Sequence, residues 1–421
     1  MLLGAIADDL TGATDLALML SREGMRTIQT VGVPPKDFDI GDADAVVVAL
    51  KSRTNPAAEA VDMSLAALEW LRASGARQII FKYCSTFDST AKGNIGPVTD
   101  ALVAALGTDL TIVCPAFPAN RRTVYKGHLF VGDQLLSDSP MRHHPLTPMT
   151  DSSLVRLMAA QSGLKVGLVE HATVARGADA IRNAFEEARQ RGEGIVVIDA
   201  ISDQDLRVIG KAVADFPLIT GGSGIALGLP DNFRRQGLLP EADTGGAFTP
   251  PSGRAAILAG SCSEATRGQI RQAIEAGLPA LKLDPIAIAE GRLTVDEALQ
   301  WALAQTQTTA LLYSSAEPQD VLAAQKSLGQ EKAGEIVETF LAMTAIGLRQ
   351  GGVRRLIVAG GETSGAVVGA LAPAALYIGP EIDPGVPWTV TLGDEQPMAL
   401  ALKSGNFGAP DFFLKAWEML K

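Results

Sequence analysis

The stretch Gly360-Gly361-Glu362-Thr363-Ser364-Gly365 stands between a short apolar run, Leu356 to Ala359, and a small apolar segment, Ala366 to Leu371. A strand that turns through glycines into a helix leaves backbone N–H groups free at one point. Those groups and the helix dipole favour an anion. The chemistry expected is phosphate binding; the plain alternative is a strand–helix turn that needs glycine only for close packing. The spacing is not that of a Walker A loop, because Ala366 stands where lysine is required. Nor is it a dinucleotide fingerprint, because the third glycine is misplaced. A nucleotide bound here must rest on backbone N–H and hydroxyl groups. Magnesium, or a lysine from elsewhere in the chain, must then supply positive charge.

Three further polar clusters follow apolar runs in the first half. Asp8, Asp9, Thr11, Gly12 and Asp15 follow the run Leu2 to Ala7. Two carboxylates at a strand's carboxyl end sit where open α/β sheets place ligands, and they suit hydroxyls or magnesium held through water. The alternative is that one of them caps the next helix. Lys51 and Arg53, with Ser52, Thr54 and Asn55, follow Ala45 to Leu50. The fork of an arginine matches a carboxylate. Gln78 to Tyr83, which includes Lys82, runs into a loop holding Ser85, Asp88, Ser89, Thr90, Lys92 and Asn94. Hydroxyls, an amide, a carboxylate and cations together suit a polyhydroxylated acid. In the second half, Ser261 and Ser263 follow the run Ala255 to Ala259, with Ser263 placed to cap a helix. Gly405 and Asn406 open a tight turn after Met398 to Lys403.

Each cluster needs a strand to carry it and a helix to follow. The expected strands lie at 2–7, 45–50, 78–83, 111–114, 166–169, 194–199, 255–259, 281–283, 309–313 and 398–403, with a further strand before Gly221-Gly222-Ser223. The expected helices lie at 16–22, 57–74, 98–106, 177–191, 331–349 and 411–420. In the helix 331–349, Ile336, Phe340, Met343 and Leu348 form the expected core face. Gly127 to Asp151 reads as one long irregular segment. Leu229 to Arg254, rich in Pro, Gly and polar residues, reads as a linker. The fold class expected is α/β in two domains, each a mainly parallel sheet flanked by helices: residues 1–240 and 250–421.

A chain of 421 residues exceeds what one core usually serves. Hydrophobic residues make up 47% and charged residues 20%, which is globular rather than disordered composition. The formal charge of −11 and the lack of a basic run speak against nucleic acid as main partner. Cys84, Cys114 and Cys262 are far apart and odd in number, so neither a disulfide framework nor a zinc spacing is expected. A reducing cytoplasm fits these thiols. The acidic start is not that of a signal peptide, and no apolar run is long enough to span a bilayer, so no membrane partner is expected. His128, His143, His144 and His171 form no metal-binding pair on one helix face, and metal ligands stay unassigned.

Taken together, Ile-Ala-Asp-Asp-Leu-Thr-Gly-Ala-Thr-Asp (6–15), Lys-Ser-Arg (51–53), Lys-Tyr-Cys-Ser-Thr-Phe-Asp-Ser-Thr (82–90), Gly-Asn-Ile-Gly (93–96) and Gly-Gly-Glu-Thr-Ser-Gly (360–365) resemble the four-carbon acid sugar kinases. The resemblance spans the whole chain. It implies an N-terminal domain that takes the acid sugar, a C-terminal domain that takes ATP with Mg2+, and an active site in the cleft between them. The 82–90 wording and the loop 138–151 are closest to members whose acceptor is a 3-oxo acid; D-threonate and D-erythronate are alternative acceptors. The resemblance makes Ser261, Gly360, Gly361, Glu362, Thr363, Ser364, Gly365 and Gly405 nucleotide contacts; Ser263, by its hydroxyl, and Asn406, by its place in the tight turn, are expected beside them. It makes Asp8, Asp9, Lys51, Arg53 and the 82–94 loop, with Ser85, Ser89, Thr90 and Asn94, candidate contacts of the acid; Thr11 and Gly12, in the same turn as Asp8 and Asp9, are expected with them. Asp88, or after it Asp9, is the expected proton acceptor. Lys82 with Arg53 is expected to hold the substrate carboxylate or neutralise the transferring group. A homo-oligomer is compatible with the sequence. The competing classes are a two-domain binding or sensor protein and a glycine-rich dehydrogenase, the latter disfavoured by the missing fingerprint.

Overall fold

The computed structural model describes residues 1–144, 147–241, 248–315, 323 and 325–420. Pro145 and Leu146 of the 138–151 loop, and Thr244, Gly245 and Gly246 of the expected linker, lie outside the described residues. The chain divides into two compact units, Met1–Gly246 and Ala247–Lys421. Both are α/β, with a mainly parallel sheet flanked by helices.

The first unit contains β1 (Leu3–Ala7), β2 (Thr27–Val31), β3 (Ala45–Ala49), β4 (Gln78–Lys82), β5 (Thr111–Cys114), β6 (Arg122–Tyr125), β7 (His128–Val131), β8 (Gln134–Leu135), β9 (Val166–Val169), β10 (Ile195–Ile198) and β11 (Leu218–Gly221). The main sheet runs β2-β3-β1-β4-β11-β5-β10-β9, every pair parallel. The strand β3, Ala-Val-Val-Val-Ala, is buried along its length, as a strand covered on both faces must be. Ala7 stands abreast of Ala49 and Lys82, and Lys82 abreast of Gly221. In a parallel sheet this register brings the exits of β3, β1, β4 and β11 out along one edge.

The second unit contains β12 (Arg254–Ala259), β13 (Ala280–Lys282), β14 (Ala310–Tyr313), β15 (Val353–Ala359), β16 (Ala375–Asp383), β17 (Val386–Leu392) and β18 (Ala399–Lys403). The order is β13-β14-β12-β15-β18-β17-β16, parallel as far as β18 and antiparallel beyond it. Its core gathers Ile257, Ile357, Trp388, Phe412 and Phe413. Ala259 pairs with Ala359 and Ala359 with Lys403, so three polar turns again leave abreast.

Several expected boundaries move. The first helix is Leu10–Arg22, not 16–22, because Asp9 caps it by accepting from the Gly12 N–H at 2.8 Å. The helix after β15 is Gly361–Leu371. Glu362 to Gly365 therefore belong to its first turn rather than to a loop. The segment 127–151 is not irregular throughout: β6, β7 and β8 form a small antiparallel sheet followed by two 3-10 turns. The stretch 229–254 opens with a helix, Pro230–Arg235. The long helix is Gln330–Gln350, and it buries Val337, Phe340, Leu341, Ala345 and Leu348. Met343 faces solvent, so the core stripe is rotated from the expected one. The 411–420 segment is a four-residue helix and a 3-10 turn. The strand β2 and the antiparallel pair β16–β17 were not among the expected elements.

Candidate active site

In the first unit, the turns after β1, β3 and β4 meet around one guanidinium. Arg53 donates from Nε to Asp8 Oδ2 at 2.9 Å and from Nη2 to Asp8 Oδ1 at 2.8 Å. Its Nη2 also pairs with Asp9 Oδ1 at 2.9 Å, and its Nη1 lies 3.9 Å from Asp88 Oδ2. Burial pushes the Asp8 carboxyl above its ordinary range, and the Arg53 charge offsets part of that rise. Burial opposes the Arg53 charge, but Asp8 and Asp9 outweigh it and hold arginine's pKa above its usual value. Asp9 thus does two things, capping a helix and gripping Arg53.

Asp88 sits on unusual backbone. Phe87 has φ 65° and Asp88 φ 42°, a region costly for residues with a side chain. Thr86 Oγ1 donates to Asp88 Oδ1 at 2.7 Å, and Cys84 Sγ is 2.9 Å from Thr86 Oγ1. A hydroxyl has one proton. Thr86 spends it on the carboxylate, so the Cys84 thiol is the donor to Thr86. Burial, with Asp88 adding to it, pushes that thiol up to about 11, which keeps the donor proton in place. The Lys82 ammonium donates to the Tyr83 carbonyl at 3.0 Å. A side chain at Gly12 would collide with both the Asp9 carboxylate and the Lys82 ammonium. The helix start, Lys82 and Arg53 are therefore one packed cluster.

In the second unit, Gly360 carries φ 131° and places the Gly361–Leu371 helix start at the end of β15. A Cβ at Gly360 would come within 2.8 Å of Thr363 Oγ1 and 3.2 Å of the Ser261 nitrogen. The two turns are thus in contact. Ser263 caps the helix Glu264–Glu275 by accepting from the Thr266 N–H at 3.2 Å. Ser315 donates to the Ser261 carbonyl and secures it from the far side. A cavity of about 930 Å³ opens beside these turns. Gly260, Ser261, Gly360 and Gly361 form one side, and Leu283, Pro285, Ile286 and Val337 bring apolar surface to the rest. Its size and its mix of apolar wall and a few polar groups suit a nucleotide-sized ligand.

A family model described as a sugar-binding N-terminal domain matches residues 3–229, and one described as a nucleotide-binding C-terminal domain matches residues 256–413. Curated relatives named 3-oxo-tetronate kinase align along the full chain. The Cupriavidus necator protein is 58% identical, with 100% of this chain and 97% of the relative covered. The Salmonella typhimurium protein is 46% identical, with 98% of each covered. The chain belongs to the four-carbon acid sugar kinase family. Solved structures share its fold along the whole chain. A Salmonella typhimurium LT2 protein, described as a candidate tRNA synthase, superposes with TM-score 0.92 at 44% identity, covering 100% of this chain and 99% of that one. A Haemophilus influenzae protein gives TM-score 0.87 at 43% identity, covering 99% and 100%.

For a four-carbon acid sugar kinase, the residues expected from sequence fall into two groups. Asp8, Asp9, Gly12, Arg53, Lys82 and Asp88 are brought together by the first sheet. Thr11 and Lys51 are exposed, at the helix start and the β3 exit. Ser85 and Thr90 are half-buried in the 84–94 loop. Ser89 Oγ donates to Gln161 at 3.3 Å. The Asn94 amide nitrogen holds the carbonyls of Ser52, Arg53 and Asn55, so it shapes the Arg53 turn. In the second unit, Ser261, Gly360, Gly361, Glu362 and Thr363 line the cavity. Ser364 is buried behind that wall and Gly365 is half-buried. Ser263 donates to the Gly405 carbonyl at 2.6 Å, and Asn406 is exposed on the same turn.

Sequence reasoning missed Lys403 and Thr266, which grip that turn from beneath. The only available signal was a lysine closing an otherwise apolar strand. It named Asp15 in the first polar cluster but gave it no role. Burial raises that carboxyl, and the Lys82 ammonium pulls it part of the way back. Among the described residues no helix is long and apolar enough to cross a membrane.

Proposed function

We propose that this chain is an ATP-dependent kinase that transfers the γ-phosphoryl group to the 4-hydroxyl of 3-oxo-tetronate. The observation that carries the proposal is the pairing of two anion-suited sites. The first unit holds a hydroxyl-rich cluster around Lys82, Arg53 and Asp88; the second holds a glycine cradle beside a nucleotide-sized cavity. Relatives named 3-oxo-tetronate kinase, aligned over 100% of this chain and 97% of their own length, support the choice of acceptor.

Phosphoryl transfer asks for alignment and charge neutralisation more than for covalent chemistry. The acceptor oxygen bonds to the γ-phosphorus, the bond to the β–γ bridging oxygen breaks, and ADP departs with that electron pair. The hydroxyl proton passes to Asp88, whose carboxylate is pre-aimed by Thr86. The fork of Arg53 is committed to Asp8 and Asp9, so its task is to order the carboxylates. Lys82 is the cation assigned to the acid's own carboxylate, since only one of its three N–H donors has a partner among the described residues. The free N–H groups at the start of the Gly361–Leu371 helix take the phosphates. Both reactants must meet for transfer, so both units take part.

Magnesium, bound together with ATP, would supply charge neutralisation at the phosphates. It characteristically takes one or two carboxylates and leaves the remaining positions to phosphate and water. Glu362, exposed beside the cradle, is the residue that would hold it. The three cysteines are free thiols, which suits a cytoplasmic enzyme.

The test is incubation with ATP, magnesium and a panel of four-carbon acids. ADP should form in proportion to acid, fastest with 3-oxo-tetronate. Faster turnover of D-threonate or D-erythronate would move the acceptor within the family. Binding without ADP formation would mark a sensor.

A further inference from the structure

The strand β18 ends in a lysine that is only 1% exposed. The Lys403 ammonium donates to Thr266 Oγ1 at 3.0 Å and to the carbonyls of Ser404 and Gly405, each at 3.2 Å. An ammonium has three N–H donors, so these contacts use all of them. The helix Glu264–Glu275 brings only the Thr266 hydroxyl to it, and its own turn brings only the two carbonyls. Among the described residues no carboxylate, imidazole or second cation pairs with it. Burial alone pushes it down to about 8. A buried charge without a partner is costly, and it pays its way where an anion arrives to complete it.

The same knot fixes a peptide. The Gly405 carbonyl accepts from Ser263 Oγ at 2.6 Å and Thr266 Oγ1 at 2.8 Å as well as from Lys403. In a trans peptide the C=O and the following N–H point in opposite directions. The Asn406 N–H therefore faces away from the knot, and it has no acceptor among the described residues. Gly405 itself is pressed against Ser261, where any side chain would strike the serine hydroxyl. Ser261 in turn touches Gly360. The turn 404–406 thus packs against the turn at 260–263, which in turn meets the one at 360–363.

We propose that Lys403 is the positioning residue of the nucleotide site: it locks the Gly405–Asn406 peptide as the third wall of the phosphate cradle and sets a fixed positive charge behind it. This rests on the reading of the second unit as the ATP site. It supplies the lysine that the cradle's own sequence lacks at Ala366. The ammonium acts through the turn and does not touch the phosphates.

The experiment compares the full-length wild type with Lys403→Met and Thr266→Val. It measures kcat, the KM for ATP and the KM for the acid separately, with ADP binding by calorimetry. Lys403→Met should raise the ATP KM about tenfold or more, in step with weaker ADP binding. The acid KM should stay within about twofold. In the wild type the ATP KM should climb as pH passes about 8 and the ammonium is lost; in Lys403→Met that climb should vanish. A merely structural lysine would lower the active fraction, and hence kcat, without moving the ATP KM or its pH profile. That result overturns the proposal. Should Lys403→Met fail to fold, Thr266→Val decides: it removes one grip on Gly405 and should raise the ATP KM severalfold, and an unchanged value refutes the role. A wild type that makes no ADP with any acid sinks the kinase reading instead, while ADP calorimetry on the variants still tests Lys403.

Discussion

Replacing Arg53 by methionine keeps most of its bulk and removes the charge that Asp8 and Asp9 share. Asp8 has a side-chain exposure of 6% and Arg53 of 23%, so the variant strands a buried carboxylate. Breaking such a pair from one side costs about 3–5 kcal/mol. The partial exposure of Arg53 places the expected loss near the lower end, about 3 kcal/mol. For a unit of this size that corresponds to a melting shift of about 6 to 12 °C. The pH dependence carries the sharper test. Burial already lifts the folded Asp8 pKa above 3.8. The folded state therefore binds the proton more tightly than the unfolded chain. Stability falls as pH rises from the unfolded value to the folded one, and is level above it. Without Arg53 the folded value climbs further, so the sloping window reaches higher. The deficit of Arg53→Met should be larger at about pH 8 than at about pH 6. Adding Asp8→Asn removes the stranded charge and should recover at least half of the deficit at the higher pH. Thermal melts followed by circular dichroism at both pH values measure all three proteins. Equal deficits at the two pH values, or no recovery in the double variant, would refute the account of Asp8 as a buried charge held by Arg53.

Asp88→Asn should lower kcat by at least about 10²-fold while leaving the melting temperature almost unchanged, because the amide oxygen still accepts from Thr86; near-normal turnover removes Asp88 as proton acceptor. A Cβ at Gly361 meets nothing within 4 Å, so Gly361→Ala should fold normally and raise the ATP KM. Gly360→Ala, forced to φ 131° against Thr363, should lose stability instead, and the reverse pattern in melts and kinetics would contradict the cradle. Burial raises the Cys84 thiol to about 11 and the Cys114 thiol to about 12, whereas Cys262 lines the cavity. Alkylation at about pH 8 should therefore mark Cys262 first and slow when ATP is present; peptide mapping that finds Cys84 labelled first would count against this order.

Local periodicity made the strands β1, β3, β4, β5 and β12 readable, because parallel strands covered on both faces are short continuous apolar runs. The glycine turn at 360–365 was readable as an anion site because strand–glycine–helix chemistry is local. Its extent was not. Helix starts are set by caps, and Asp9 became a cap only once its carboxylate was turned to the Gly12 N–H. The long helix shows the same limit. Met343 and Ile336 fit an apolar stripe by spacing, yet the helix buries the neighbouring stripe through Val337 and Leu341, since what packs against it fixes its rotation.

By itself the sequence determined which residues could do chemistry, that they follow strands, and that they form two sets far apart in the chain. Tertiary structure decided how each set is used. It spent the Arg53 fork on Asp8 and Asp9 rather than leaving it free, and it placed Lys403 under Gly405 and Thr266, partners up to 137 residues distant. Such pairings are outcomes of parallel register, in which exits remote in sequence leave one sheet edge side by side. A local pattern contains no record of which neighbour each will meet.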